Sequence, residues 1–231
     1  MKLWNDTIEQ LEEWAGKHDT AIVAYSGGKD SLCCMELACK TFRHVAAFHM
    51  YFVPGLRVID EQLQYARDRW KVDVLEVPHF AFLHSLRDGR FCDITDQHDS
   101  LPAFELKDIY AWILKLTGVE LLLTGAKNAD GIQRRQFFEN IDRKAKEGDV
   151  VWQSIGYPIK AWKKRDVVQF LNTNEIPLPP QPEGVVTSGI GLSPDIAKWL
   201  SEDYPDDWEK ICAWFPYAEA MNVRRKLYGI G

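Results

Sequence analysis

The stretch Ala21-Ile22-Val23-Ala24-Tyr25-Ser26-Gly27-Gly28-Lys29-Asp30-Ser31 decides the fold. An apolar run rich in Ile, Val and Ala breaks at Ser26-Gly27-Gly28 and resumes at Leu32 in a mixed pattern, which reads as strand, tight turn, helix. Two glycines let the backbone approach a ligand closely and take dihedrals that a side chain forbids. The next helix points its unsatisfied N–H groups into the same space. Such a turn attracts an anion, phosphate above all. Ser26 and Ser31 add hydroxyl donors, Lys29 adds charge, and Asp30 is suited to hold Mg²⁺ against phosphates or to position an incoming group. The competing reading is an ordinary Gly-Gly turn before a capped helix. The flanking strand and helix favour the anion site.

Outward from this stretch, strands and helices alternate. Ile8, Leu11, Trp14 and Ala15 fall near helical spacing after Asn5-Asp6, with Gly16 as a C-cap, and predict a helix over one sheet edge. A helix from about Asp30 to Thr41 leads into the apolar strand Val45–Met50. Leu63, Ala66 and Trp70 mark the next helix, and residues 72–77 a third strand stopped by Pro78. Leu106, Ile109, Tyr110 and Ile113 form a helical stripe ending near Gly118, before a strand at 119–124. The alternation predicts an α/β fold, a doubly wound parallel sheet. Ligands then sit beyond the carboxyl ends of the strands, so the turns after Tyr25, Met50, Val77 and Thr124 are expected to converge. Met50 or Tyr51 is placed either to border an adenine or to pack in the core.

After Thr124 comes Gly125-Ala126-Lys127-Asn128-Ala129-Asp130-Gly131-Ile132-Gln133-Arg134-Arg135. Three cations in one strand-to-helix segment read as a phosphate clamp, with Arg134 or Arg135 capable of bidentate contact. A solvated charged helix is the plainer alternative.

Ser26–Ser31 resembles the SGGxDS signature of the PP-loop family, the ATP pyrophosphatases and sulfonucleotide reductases, and lacks the spacing of a Walker A loop. The segment from Gly125 resembles the GxRxxESxxR stretch of the sulfonucleotide reductases, with Gly125 and Arg134 in register. Lys127 replaces the first arginine, Asp130 the glutamate and Gly131 the serine. Tyr157 to Leu171 and Ile176-Pro177-Leu178-Pro179 resemble the end of the same domain, so the resemblance runs from about residue 20 to 180. It implies an adenine nucleotide alpha hydrolase-like fold that binds ATP or a related adenine nucleotide with Mg²⁺. Lys29, Asp30, Lys127 and Arg134 are then the candidates for chemistry, with Asp30 as metal ligand. Ser26, Gly27, Gly28, Ser31, Met50, Gly125 and Arg135 are the candidates for nucleotide binding.

Prolines 177, 179, 180 and 182 with Gly184, Gly189 and Gly191 form a breaker-rich connection. It divides a nucleotide-binding domain at 1–180 from a helical appendage at 181–231. Ser193-Pro194-Asp195 starts a helix there, Trp208, Ile211, Cys212 and Phe215 make an apolar stripe, and Arg224-Arg225-Lys226 end the chain on a basic helix. Such an appendage would lid the site or mediate self-association.

The net charge of −6 argues against a protein that coats nucleic acid; Lys160, Lys163, Lys164 and Arg165 around Trp162 read first as a solvated helix start, with a basic patch for a polyphosphate or a single strand as the less favoured alternative. No apolar run reaches membrane length and the N-terminus lacks a signal-peptide core, so a cytoplasmic protein is the expectation. Five cysteines without a CxxC form neither a disulfide framework nor a structural zinc pattern. Cys92, Asp93, Asp96, His98 and Asp99 are dense enough to hold a metal but read better as a polar loop.

Three activities remain. An ATP pyrophosphatase would adenylylate an acceptor that no residue identifies. A sulfonucleotide reductase would need the family's C-terminal ECGxH cysteine, which is absent, the last cysteine being Cys212 within a helical stripe. A nucleotide-binding sensor or subunit would bind without turnover. The first is the reading adopted, with an adenine nucleotide and an unidentified acceptor as partners.

Overall fold

The computed structural model describes residues 2–178 and 192–228. Most of the breaker-rich connection, from Pro179 to Gly191, lies outside the described residues. The helices are α1 (Lys2–Ala15), α2 (Lys29–Thr41), α3 (Arg57–Trp70), α4 (Phe80–Arg87), α5 (Asp96–Asp99), α6 (Leu106–Thr117), α7 (Ile132–Lys146), α8 (Val150–Gln153), α9 (Lys164–Thr173), α10 (Pro194–Asp203), α11 (Pro205–Trp214) and α12 (Glu219–Tyr228). The strands are β1 (Thr20–Ala24), β2 (His44–Tyr51), β3 (Val74–Pro78), β4 (Leu122–Thr124) and β5 (Ile155–Gly156). They form one parallel sheet in the order β3-β2-β1-β4-β5.

The central strands are mostly apolar because helices cover both faces of a parallel sheet. Ala21, Ile22 and Val23 of β1 and Leu122 and Leu123 of β4 are all fully buried. β1 pairs with β2 on one side, Ala24 opposite Phe48, and with β4 on the other, Ala24 opposite Thr124. The chain winds outward from β1 to β3, then returns across β1 to β4. The strand order therefore reverses between β1 and β4, and at such a switch point the loops leaving the two carboxyl ends part to form a crevice.

α1 covers the β5 edge, as its apolar face predicts, but starts before Asn5-Asp6 rather than after it. A Cβ on Gly156 would lie 2.8 Å from the Trp14 ring and 2.6 Å from Leu123 Cδ2. Trp162 stacks on Trp4 at 6.1 Å and donates from Nε1 to Thr7 Oγ1 at 2.8 Å. β3 begins at Val74 and ends on Pro78, which has no N–H to extend the ladder. His79 then caps α4, its ring accepting from the Ala81 N–H at 2.9 Å. β4 spans three residues of the apolar run at 119–124.

The chain divides into two compact units, Met1–His49 with Ala66–Leu75 and Leu106–Pro179, and Met50–Tyr65 with Glu76–Glu105 and Pro180–Gly231. The helices that follow residue 180 thus share a unit with 50–65 and 76–105. In this second unit Asp207, 1% exposed, accepts from the N–H groups of Arg57 at 2.8 Å and Val58 at 2.9 Å, so α11 caps α3. Phe52 stacks on Phe215 at 5.3 Å, and Trp208, Ile211 and Phe215 are buried as their spacing predicts. Ser193 caps α10 through the Ile196 N–H. Among the described residues no helix is long and apolar enough to cross a membrane.

Candidate functional site

β1 ends at Ala24, and the Tyr25 N–H still reaches across to the Phe48 carbonyl at 2.8 Å. The chain then turns at Gly27, whose φ of 73° is open to glycine and strained for any other residue. Gly28 caps α2, and the first helical bond runs from the Leu32 N–H to the Gly28 carbonyl at 3.0 Å. The N–H groups of Lys29, Asp30 and Ser31 precede that bond and have no intrahelical acceptor. Ser26 and Gly27 likewise donate no backbone hydrogen bond to the described residues. Ser31 is buried, donates to the Gly28 carbonyl at 2.9 Å and accepts from the Ser26 hydroxyl at 3.2 Å. These hydroxyls brace the turn from within, Ser26 Oγ also accepting from the Gly28 N–H at 3.4 Å, while the amides on either side of Gly28 stay open.

β4 delivers the facing loop. A Cβ on Gly125 would stand 2.7 Å from the carbonyl carbon and oxygen of Asp30 and 3.1 Å from the Ser31 nitrogen. Only glycine lets β4 run this close to the start of α2. Two residues on, Lys127 is 2% exposed and its ammonium donates to Asp30 Oδ2 at 2.8 Å and to Asp130 Oδ1. Lys29 meets the same Asp30 Oδ2 at 2.8 Å. Burial pulls the Lys127 pKa down, but hydrogen bonds and charges from Asp130 and Asp30 outweigh it and hold the ammonium above the ordinary lysine value. Two ammonium groups thus balance two carboxylates at the mouth of the crevice. Asp30 Oδ1 is buried and has no hydrogen-bond partner among the described residues.

Gly131 opens α7 at a φ of 133°, a conformation that the serine of the reductase pattern would find strained. Arg134 is half-buried with its guanidinium 5.4 Å from the centre of the Phe137 ring, whereas Arg135, roughly 100° further round the helix, is exposed. Burial pushes the Tyr110 hydroxyl up to about 12, against a hydrogen bond to Thr124 and the charge of Arg134. Tyr157 is also raised by burial, with Arg134 again opposing, and its hydroxyl has no partner among the described residues.

The structure thus gathers Ser26 to Ser31, Gly125, Lys127 and Asp130 in the first unit. The three cations of the second loop do not share one role. Lys127 is committed to carboxylates, Arg134 is half-buried, and Arg135 faces out. Met50 lies half-buried in β2 and belongs to the second unit.

The basic patch is not a stacking platform, because Trp162 is fully buried and offers no face to a base. Lys160 is held by Asp142 at 2.8 Å and lies over Phe138, and Arg165 pairs with Asp166 at 3.4 Å. Nor do the loop residues around Cys92 converge. Asp93 accepts from the Tyr217 hydroxyl at 2.8 Å, His98 Nδ1 turns to the Asp93 carbonyl, and the described residues contain no cluster of three potential metal ligands. Burial raises the thiol pKa of all five cysteines, Cys39 to about 12 and Cys212 to about 11, the latter with Glu219 adding to the effect.

Two features escaped the sequence. Asp130 is a full partner in the ion network, and His49, inside an apolar strand, turns its Nδ1 onto the Tyr25 carbonyl at 2.9 Å. A carboxylate in a charged turn and a histidine in a buried strand carry no signal of such partners.

A family model described as the phosphoadenosine phosphosulfate reductase domain matches residues 20–181. No curated protein matches. Among solved structures, the U34-tRNA thiolase NcsA from Methanococcus maripaludis with its 4Fe–4S cluster is similar over 95% of this chain and 79% of that one, at 14% identity and a TM-score of 0.48.

Proposed function

The chain belongs to the phosphoadenosine phosphosulfate reductase domain family, and from that premise we propose that it binds ATP at the Ser26–Ser31 loop and cleaves it at the α-phosphate to adenylylate an acceptor. An acceptor oxygen attacks the α-phosphorus, a new O–P bond forms, the bond to the bridging oxygen breaks, and pyrophosphate leaves. The observation that carries this reading is the set of open amides at Ser26, Gly27, Lys29, Asp30 and Ser31, facing Gly125 across a contact only glycine permits.

In this reading the amides and Lys29 hold the departing pyrophosphate and Arg134 adds a fork-shaped donor. Lys127 acts on the phosphates through Asp30 and Asp130, which it holds in place. Asp30 offers a buried carboxylate oxygen without a partner, a hard donor that fits Mg²⁺, and Asp130 is the second carboxylate within reach of the same ammonium. Two carboxylates alone make a Mg²⁺ site only when phosphate oxygens and water complete it. A bound Mg²⁺ would neutralise charge on the phosphates as they separate.

Reductase chemistry is the weaker alternative because it needs a thiolate. Cys212, the cysteine nearest the C-terminus, lies 4.0 Å from the Glu219 carboxylate, which disfavours ionisation further. The deciding experiment incubates the protein with ATP and Mg²⁺ and follows AMP and pyrophosphate. Wild type is expected to form both slowly by water attack, and Asp30→Ala to form neither while keeping its circular dichroism. Absence of both products from wild type, with and without a cell metabolite extract as acceptor source, would overturn the reading.

A further inference from the structure

We infer that His49 is the positioning residue of the phosphate loop: its imidazole orients the Tyr25–Ser26 peptide so that the Ser26 amide points at the ligand. The inference rests on the nucleotide reading above and names a residue outside the loop that sets its affinity.

The geometry is specific. His49 is 5% exposed and its Nδ1 lies 2.9 Å from the Tyr25 carbonyl oxygen. A carbonyl only accepts, so Nδ1 must carry the proton, which fixes the tautomer. Tyr25 is the last residue before the turn, and its own N–H is already held by the Phe48 carbonyl at 2.8 Å. The peptide that begins at the Tyr25 carbonyl ends at the Ser26 N–H, and in a planar trans peptide these two groups point in opposite directions. Holding the carbonyl toward β2 therefore turns the Ser26 N–H away from β2. That amide donates to none of the described residues and is free for a phosphate oxygen.

Fixing it matters because Gly27, the next residue, has no side chain to restrict the turn and takes a φ of 73°. Hydrogen bonds to the neighbouring strands anchor the backbone only up to the Tyr25 N–H. Without the imidazole, the 25–26 peptide can rotate about the Tyr25 ψ and Ser26 φ, the glycine after Ser26 does little to oppose it, and its amide is no longer preset for the anion.

The test uses His49→Leu and His49→Asn in the full chain. Leucine keeps apolar bulk and removes the donor. Asparagine loses the ring, but its amide nitrogen stands as many bonds from Cα as the imidazole Nδ1. Both variants lose packing, so both are expected to melt below wild type. Only the leucine variant is expected to weaken ATP binding in Mg²⁺, by about fivefold, the fold-change of one modest hydrogen bond. The asparagine variant should stay within about twofold of wild type. In the free protein, the Ser26 amide ¹⁵N signal senses hydrogen bonding at the carbonyl of its own peptide. It should move in His49→Leu and return toward wild type in His49→Asn.

Equal affinity losses in the two variants, or wild-type affinity in His49→Leu, would overturn the inference. If wild type fails to bind ATP, the nucleotide reading fails, and the ¹⁵N signal alone decides whether His49 orients the peptide. An unmoved Ser26 signal in His49→Leu overturns it.

Discussion

Gly125→Ala is the sharpest perturbation of the crevice. The new Cβ would fall 2.7 Å from the carbonyl carbon and oxygen of Asp30, where ordinary contact begins at 3.4 Å. The two backbones must therefore part by about 0.7 Å, since the obstacle is main chain and no side chain can swing aside. On one side β4 is tied to β1 at Ala24 and Thr124, and on the other the start of α2 is braced by Ser31. Overpacking of this kind costs about 1–3 kcal/mol. For a chain of this length that lowers the melting temperature by about 2–12 °C. The same displacement stretches the 2.8 Å bond from Lys127 to Asp30 and carries the open amides of α2 off register, so ATP affinity in Mg²⁺ should fall about tenfold. Thermal unfolding and calorimetric titration read the two effects. Gly156→Ala is the control: its Cβ would meet Leu123 Cδ2 at 2.6 Å and Trp14 at 2.8 Å, on the β5 edge. It should cost similar stability and leave ATP affinity unchanged. Wild-type stability and affinity in Gly125→Ala, or an equal affinity loss in both variants, would refute the reasoning.

Lys127→Met leaves Asp30 and Asp130 without their shared ammonium. Because both carboxylates keep some solvent, the loss in stability should be about 1–3 kcal/mol, read by urea unfolding. The Lys127 pKa is raised above 10.5, so its contribution is complete below that pH and lost as pH rises through the higher folded value. Wild type should therefore show an alkaline loss of stability that Lys127→Met lacks. On the acid side, burial pushes Glu36 up, but hydrogen bonds from Trp70 and Lys40 and the charges of Lys40 and Arg69 outweigh it and leave its pKa below 4.5. Its contribution is present above 4.5 and lost as pH falls through the lower folded value, so Glu36→Gln should flatten that limb of the melting-temperature profile. With every thiol raised, iodoacetamide should label the native protein slowly at pH 7.5, and Cys212→Ser should keep wild-type ATP turnover. Loss of turnover in that variant would revive thiol chemistry.

The β1–turn–α2 unit was legible because a buried parallel strand, a glycine pair and a helix start are all local signals. The partners of Lys127 were not. Asp30 lies 97 residues away in sequence, and a lysine in a charged turn reads the same whether it will grip phosphate or pair with carboxylates. β5 escaped because two residues, Ile155 and Gly156, carry no periodicity. α4 escaped because its cap is a histidine following a proline, not the usual Ser, Thr, Asp or Asn. Trp162 among lysines left a stacking surface open as an alternative to a solvated helix start, but its indole closes the core against Trp4 and Thr7. Local chemistry fixed the loop, whereas long-range pairing set which charges remain available to a ligand.

Calorimetric titration of the protein with ATP, AMP and phosphoadenosine phosphosulfate, each with and without Mg²⁺, tests the central claim most directly. The account predicts that ATP with Mg²⁺ binds tightest, at least tenfold tighter than AMP, an advantage on the order of 1.4 kcal/mol or more from the phosphates that the loop grips. Equal binding of ATP and AMP, preference for phosphoadenosine phosphosulfate, or no binding of any of the three would contradict it.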